Sequence, residues 1–305
     1  METREQIAAQ LHTLRDYLRW GMTRLQDAGV YYGHGTDNAF DEVLALLLNR
    51  LHLPNEHWAE LLDARLTTAE RLQVLEALER RYQQRVPLPY IIGETWFAGL
   101  PFSVDERVLI PRSPIAELIE AGFEPWLGGR APRRVLDLCT GGGCIGIACA
   151  MYLDEAEVVL SDISPDALAV AARNIERHAL AERVRAQRSD LFAGLQGERF
   201  DLIVSNPPYV DARDMAELPA EYLHEPRLAL AAGEDGLDIA RRILREATEY
   251  LNDDGVLIVE VGNSWVALEE AFPTVPFLWL EFERGGDGVF LLTREQLLEH
   301  ADAFA

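Results

Sequence analysis

Apolar residues recur at steps of three and four through the first ninety positions, which predicts helices there. "IAAQLHTLRDYLRWGMTRL" (7–25) reads as one helix and "FDEVLALLLNRLHL" (40–53) as a second. "LTTAERLQVLEALERRYQQRV" (66–86) is a third, with Thr67 and Thr68 as candidate caps and Leu72, Leu75 and Leu78 along one face. "YYGHGTDNAFDE" (31–42) has the glycines and turn formers of a loop. Across 86–113 prolines and glycines punctuate short runs of Trp, Phe, Val and Ile, which predicts a small hairpin.

From Arg134 the pattern changes to short apolar runs alternating with amphipathic stretches. "RVLDL", "AEVVLSD", "RVRAQRSD", "FDLIVSN" and "GVLIVEV" read as strands. "CIGIACAMYL", "PDALAVAARNIERHA" and "LDIARRILREATEYL" read as the helices between them. The end, "FLWLEFERGGDGVFLLT", reads as two strands about a Gly-rich turn. The alternation predicts an α/β fold, a doubly wound parallel sheet with an antiparallel last strand. The expected organisation is a helical domain over 1–90, a hairpin linker over 91–113 and the α/β domain over 114–305. In such sheets ligands lie beyond the carboxyl ends of the strands.

Three acids mark those ends. Asp137 precedes the Gly-rich turn Cys139-Thr140-Gly141-Gly142-Gly143, Asp162 ends the second strand and Asp190 follows the third. Glycines let backbone N–H groups approach a ligand closely and turn the chain into a helix. Gly141, Gly143 and Gly146 fit G-x-G-x-x-G, with Asp162 nineteen residues past Gly143, so a dinucleotide site is a real rival. An acid beside the glycines disfavours a pyrophosphate, however, and Asp137 is expected to face a cationic ligand. Asp162 is placed to accept from ribose hydroxyls, and Asp190 from an adenine amino group.

The fourth strand runs into Asn206-Pro207-Pro208-Tyr209. Two prolines cannot continue a strand, because each lacks an N–H and has a fixed φ. An Asn side-chain oxygen and a carbonyl near Pro207 can accept both hydrogens of a planar –NH₂ group, while the Tyr209 ring offers a flat wall. Such a nitrogen is a poor nucleophile, with its lone pair spread into the adjacent π-system. Two fixed acceptors can aim that lone pair at an electrophilic carbon, and positioning of this kind can supply roughly 7–11 kcal/mol of a barrier. The tetrad needs no general base.

"VLDLCTGGGCIGIACA", "SDISPDALAVAARNIE", "SDLF" and "FDLIVSNPPYVD" together resemble S-adenosylmethionine-dependent methyltransferases that modify glutamine side-chain amides. The resemblance covers almost the whole chain, "LIPRSP" and the helical start included. It implies a class I methyltransferase fold. It also implies that Cys139, Thr140, Gly141, Gly142 and Gly143 hold the methionine part of the cofactor, Asp162 the ribose, and Asp190 and Leu191 the adenine. Asn206, Pro207, Pro208 and Tyr209 would hold the target amide, with Asn206, Pro207 and Tyr209 as the catalytic residues and Asn206 also beside the cofactor. "LRWGMTRLQDAGVYYGHGTDNAFDE", "VDERVLIPRSPIAELI" and "GGDGVFLLT" resemble the branch that acts on large-subunit ribosomal protein L-three. The release-factor branch usually has a "PRPDTE"-like run where this chain has Pro111-Arg112-Ser113-Pro114, commonly Gly at Cys139 and an aromatic at Leu191.

Charge adds a direction. The chain has 51 acidic and 28 basic residues, a formal net charge of -23, and all its basic residues are Arg. Such a surface repels nucleic acid and attracts a basic partner such as a ribosomal protein. A methyltransferase acting on adenine amines faces the same geometric problem, but would need a basic surface and a way to capture the base. A nicotinamide dehydrogenase would leave Asn-Pro-Pro-Tyr idle. Cys139, Cys144 and Cys149, at steps of five, suit neither disulfides nor zinc and read as small buried residues; no metal is expected. Trp20, Tyr31, Tyr32 and His34 are candidates for substrate docking, with packing an equal account. With no apolar run of membrane-spanning length and no secretory signal, the cytoplasm is the expected compartment.

Overall fold

The computed structural model describes residues 2–305, in two compact units. The first comprises the residues up to Glu94 together with Pro219–His224, and the second comprises Thr95–Leu218 and Glu225–Ala305.

In the first unit, the apolar stripe over 7–25 belongs to two helices, α1 (Arg4–Gln10) and α2 (Leu14–Asp27). Thr13 breaks the stripe: its hydroxyl accepts from Asp16 N, and the Asp16 carboxylate accepts from Thr13 N, a reciprocal cap. α3 (Ala39–Arg50), α4 (Thr68–Tyr82, capped by Thr67) and the short α5 (Leu88–Ile92) complete the unit. Tyr17, Leu25, Val43, Leu46, Leu47, Leu75 and Leu78 form its core. A Cβ on Gly21 would lie 2.8 Å from Val43 Cγ1, so α2 and α3 pack closely there.

Pro219–His224 brings Glu221 into this unit. Arg81, 1% exposed, pairs with Glu42 and, at 3.2 Å, with Glu221, and donates to the Tyr31 carbonyl at 2.7 Å. Arg85 lies 3.0 Å from Glu221. Two guanidinium groups thus face two buried carboxylates, a balance that burial of charge requires.

A hairpin follows, of β1 (Glu94–Phe97), whose residues from Thr95 on belong to the second unit, and β2 (Leu100–Ser103), followed by α6 (Ile115–Glu120). Then come β3 (Arg134–Leu138), α7 (Cys144–Tyr152), β4 (Glu157–Asp162), α8 (Pro165–Arg177), β5 (Val184–Arg188) and β6 (Phe200–Ser205). α9 (Ala212–Glu217), α10 (Asp238–Tyr250), β7 (Leu251–Glu260), α11 (Trp265–Ala271), β8 (Leu278–Trp279), β9 (Val289–Thr293) and α12 (Arg294–Glu299) follow.

The seven strands lie in the order β5-β4-β3-β6-β7-β9-β8. Pairings are parallel from β5 to β7, and β9 runs antiparallel to both β7 and β8. Val135, Val158, Leu160 and Val204 pack into one buried layer, and Leu136, Val159, Ile203 and Leu257 into the other. Covered faces on both sides explain why these strands read as unbroken apolar runs. The winding reverses at β3, which pairs with β4 on one side and β6 on the other, and the crevice opens at that point.

Candidate active site

Strand register assembles the site. Leu138 pairs with Ser161 on β4 and with Ser205 on β6. The next residues, Cys139, Asp162 and Asn206, therefore leave three neighbouring strands side by side. All three line one cleft, together with Thr140, Gly141, Gly142, Asp190, Leu191 and Pro208. Gly143, Pro207 and Tyr209 are not part of that lining. Gly143 has φ +83, and a Cβ there would meet Leu160, Ile147 and Ala171 within 3.3 Å, so it serves the packing of α7 against the sheet. Pro207 is buried beneath the loop surface.

The acids divide by environment. Asp162 accepts from Gly141 N and Ser164 N, both at 2.9 Å, which fixes the Gly-rich turn against the end of β4. Burial raises its pKa, yet the carboxylate still lines the cleft and each oxygen keeps a lone pair for another donor. Asp137, expected to face a cationic ligand, is not part of the cleft lining. It is 1% exposed and accepts from the Thr140 hydroxyl at 2.5 Å and from Gly146 N at 2.8 Å. Its other oxygen has no hydrogen-bond partner among the described residues, and burial pushes its pKa up to about 7. Asp137 pairs with Leu160, two residues before Asp162, so it shares the sheet face of Cys139 and Asp162 but lies one step deeper and holds the turn from within. Asp190 is exposed and paired at 2.9 Å with Arg242 of α10, which also lines the cleft.

Two lining residues other than glycine adopt the left-handed region, Cys139 at φ +60 and Leu191 at φ +47. Such backbone costs about 1–3 kcal/mol per residue and gathers at sites that over-determine it. Ser189 secures the second: its hydroxyl donates to the Leu191 carbonyl at 2.5 Å and accepts from Gly194 N at 2.7 Å. Cys139 and Cys144 also depart from expectation, lining the cleft half-buried, while Cys149 is buried. Burial raises all three thiol pKa values, so the thiols stay protonated at neutral pH.

The Asn206 carboxamide lines the cleft half-buried and makes no hydrogen bond to another described residue. Tyr209 is anchored instead, its hydroxyl donating to Glu260 at 3.0 Å. Arg112, from the "LIPRSP" run, lines the cleft and binds Glu225 through two donors at 2.7 and 2.9 Å. Arg242, Glu225 and Glu260 were not legible as site residues. Their partners lie 52, 113 and 51 residues away, and each sits in an ordinary amphipathic helix, loop or apolar strand. The one available signal was a carboxylate, Glu260, inside the apolar run "GVLIVEV".

Among the aromatics of the first unit, Trp20 is buried edge-on to Tyr82, and His34 is buried against Tyr222 at 4.7 Å between centroids. Both serve packing, whereas Tyr31 is 44% exposed. Among the described residues no group of His, Cys, Asp and Glu is arranged to hold a metal ion, and no helix is long and apolar enough to cross a membrane.

The model of the methyltransferase small domain matches residues 125–275. A solved structure of the hMettl16 catalytic domain, in complex with a MAT2A 3′UTR hairpin, shares the fold. Its TM-score is 0.52 and its identity 18%, over 74% of this chain and 81% of that one. The ribosomal protein uL3 glutamine methyltransferase of Francisella tularensis subsp. tularensis is 51% identical over 99% of this chain and 97% of its own length. The protein of the same name from Xanthomonas campestris pv. campestris is 51% identical over 96% of this chain and 95% of its own. Half-identical to both across nearly their whole lengths, the chain belongs to the ribosomal protein uL3 glutamine methyltransferase family.

Proposed function

We propose that this protein transfers a methyl group from S-adenosylmethionine to the side-chain amide nitrogen of a glutamine in ribosomal protein uL3. One observation carries the reading: the Asn206 carboxamide stands at a strand end beside Cys139 and the Asp162 cleft, with no hydrogen bond to another described residue. The cleft suits the cofactor chemically. Asp162 has lone pairs for two ribose hydroxyls, and the N-terminus of α7, capped by Gly143, presents its positive end to an anionic carboxylate. When bound, the cofactor supplies a methyl group on a sulfonium, an electrophilic carbon that needs no metal to activate it.

The protein's own part is positioning. Asn206 and the carbonyl near Pro207 accept the two amide hydrogens, Pro208 and Tyr209 bound the planar group, and the lone pair is aimed along the line of attack. The amide nitrogen held by these residues would take the methyl group as the thioether leaves, and would then lose one proton to solvent. Asp190 would accept from the adenine amine, with Arg242 fixing its carboxylate and Leu191 packing on the ring. Glutamate would leave the two acceptors without donors, at about 1–3 kcal/mol for each unsatisfied buried group.

A net charge of -23 supports a basic protein substrate and opposes direct nucleic-acid readout. The helical unit is the proposed docking surface, acting in the cytoplasm with no membrane attachment. The test pairs the protein and methyl-labelled S-adenosylmethionine with uL3, a release factor and unmethylated DNA. Label mapped to a glutamine of uL3 is the expected result. Label in the release factor would overturn the substrate, and label only in DNA would overturn the reaction class.

A further inference from the structure

Tyr209 is gripped by residues outside the Asn-Pro-Pro-Tyr run. Its hydroxyl donates to Glu260 Oε1 at 3.0 Å, and its carbonyl accepts from Ser264 Oγ at 2.8 Å. A Cβ on Gly262 would lie 2.6 Å from Tyr209 Cε2, so the ring rests on bare backbone. Ser205 and Val259 are register partners, so Glu260 leaves β7 beside the point where Asn206 leaves β6.

Glu260 is only 5% exposed. Its second oxygen accepts from the Ser113 hydroxyl at 2.5 Å, and Ser113 Oγ in turn accepts from Ile115 N at 3.2 Å. A buried carboxyl is costly, and one held by two hydroxyl donors stabilises a fold no better than a well-packed apolar pair. What the arrangement does achieve is geometric. With one oxygen on each hydroxyl, the carboxylate ties the Tyr209 ring to the 113–115 segment and stops it turning about χ1 and χ2.

We propose that Glu260, braced by Ser113, is a positioning residue for methyl transfer: it sets the plane of the Tyr209 ring against which the target amide lies. This rests on the reading of residues 206–209 as the amide site. A planar substrate must be held within about 10–20° of its productive pose, and a misplacement of about 1 Å can cost about a hundredfold in rate.

The test is a double-mutant cycle on methylation of uL3, with cofactor affinity measured by calorimetry. Tyr209→Phe and Glu260→Ala should each lower kcat about tenfold or more, with cofactor Kd unchanged. Tyr209→Phe/Glu260→Ala should be no worse than the poorer single variant. Glu260→Gln should recover most of the activity, because a carboxamide can accept from one hydroxyl and donate to the other. If Glu260→Ala does not fold, Ser113→Ala takes its place in the cycle, and its effect should vanish in the Tyr209→Phe background. Losses that multiply in the double variant, or a Glu260→Ala kcat within twofold of wild type, would overturn the proposal while the amide-site reading stands. A wild-type protein that methylates no glutamine of uL3 would overturn both.

Discussion

Leu138 and Ser205 are register partners on β3 and β6, and the residues that follow them, Cys139 and Asn206, face the same cleft. A cofactor at the first strand end and an amide at the second, as proposed, would thereby be neighbours. The division of labour between the two ends can be tested separately.

Asn206→Ala removes an acceptor but leaves the Gly-rich turn untouched. Methyl transfer should fall about 10²- to 10³-fold, as for loss of one preorganised polar group, while cofactor Kd stays within a few-fold. Turnover and calorimetry on the same preparation decide it. A matching loss of cofactor binding would reassign Asn206.

Asp162→Ala should do the reverse. Loss of charged hydrogen bonds worth about 1.5–3 kcal/mol corresponds to a rise in cofactor Kd of roughly 10- to 100-fold. An unchanged Kd would remove Asp162 from the ribose.

Asp137 makes stability depend on pH in an uncommon sense. Its pKa is raised to about 7 from 3.8 by burial, so between those values the folded state binds more protons than the unfolded one. Stability from this group is present below the unfolded pKa and is lost as pH rises toward 7, by at most about 4 kcal/mol. Asp137→Asn keeps an acceptor for Thr140 and Gly146 and carries no charge. Urea unfolding of the ligand-free protein should show a smaller fall from pH 5 to pH 8 in this variant than in wild type. Equal slopes would mean that Asp137 does not titrate.

Arg81→Met leaves the buried Glu42 without its ion-pair partner, keeping the Thr36 hydroxyl, and Glu221 with Arg85 as its cation. Breaking a buried ion pair in this way costs about 3–5 kcal/mol, readable as a lowered urea midpoint. A change below 1 kcal/mol would show that water reaches the cluster.

Cys139 holds φ +60 with a side chain attached. Cys139→Gly should leave stability level or raise it by about 1 kcal/mol, while β-branched Cys139→Val should lower it by at least about 1 kcal/mol. Thermal melts that rank Val above Gly would remove the strain argument.

The sheet was legible because strands covered on both faces announce themselves as apolar runs, and the site because those runs end in Asp162 and Asn206. Harder to read was anything set by depth along a strand or by distant partners. Asp137 and Asp162 look alike in sequence and share a sheet face, yet one is buried beneath the Gly-rich turn and the other lines the cleft. The break at Thr13 was hidden because Ile7, Leu11, Leu14 and Leu18 keep a helical step across it. Glu221 joins the helical unit only because Arg81 and Arg85 await it, about 140 residues back in the chain.

That last arrangement makes the helical unit discontinuous. A fragment ending at Glu94 would keep Arg81 and Arg85 but lose Glu221, leaving Arg85 without that carboxylate and Arg81 with Glu42. The unit is therefore not a cassette that can be cut off or exchanged at a single junction. A graft onto a relative must carry Pro219–His224 with it, so a hybrid protein needs three junctions rather than one.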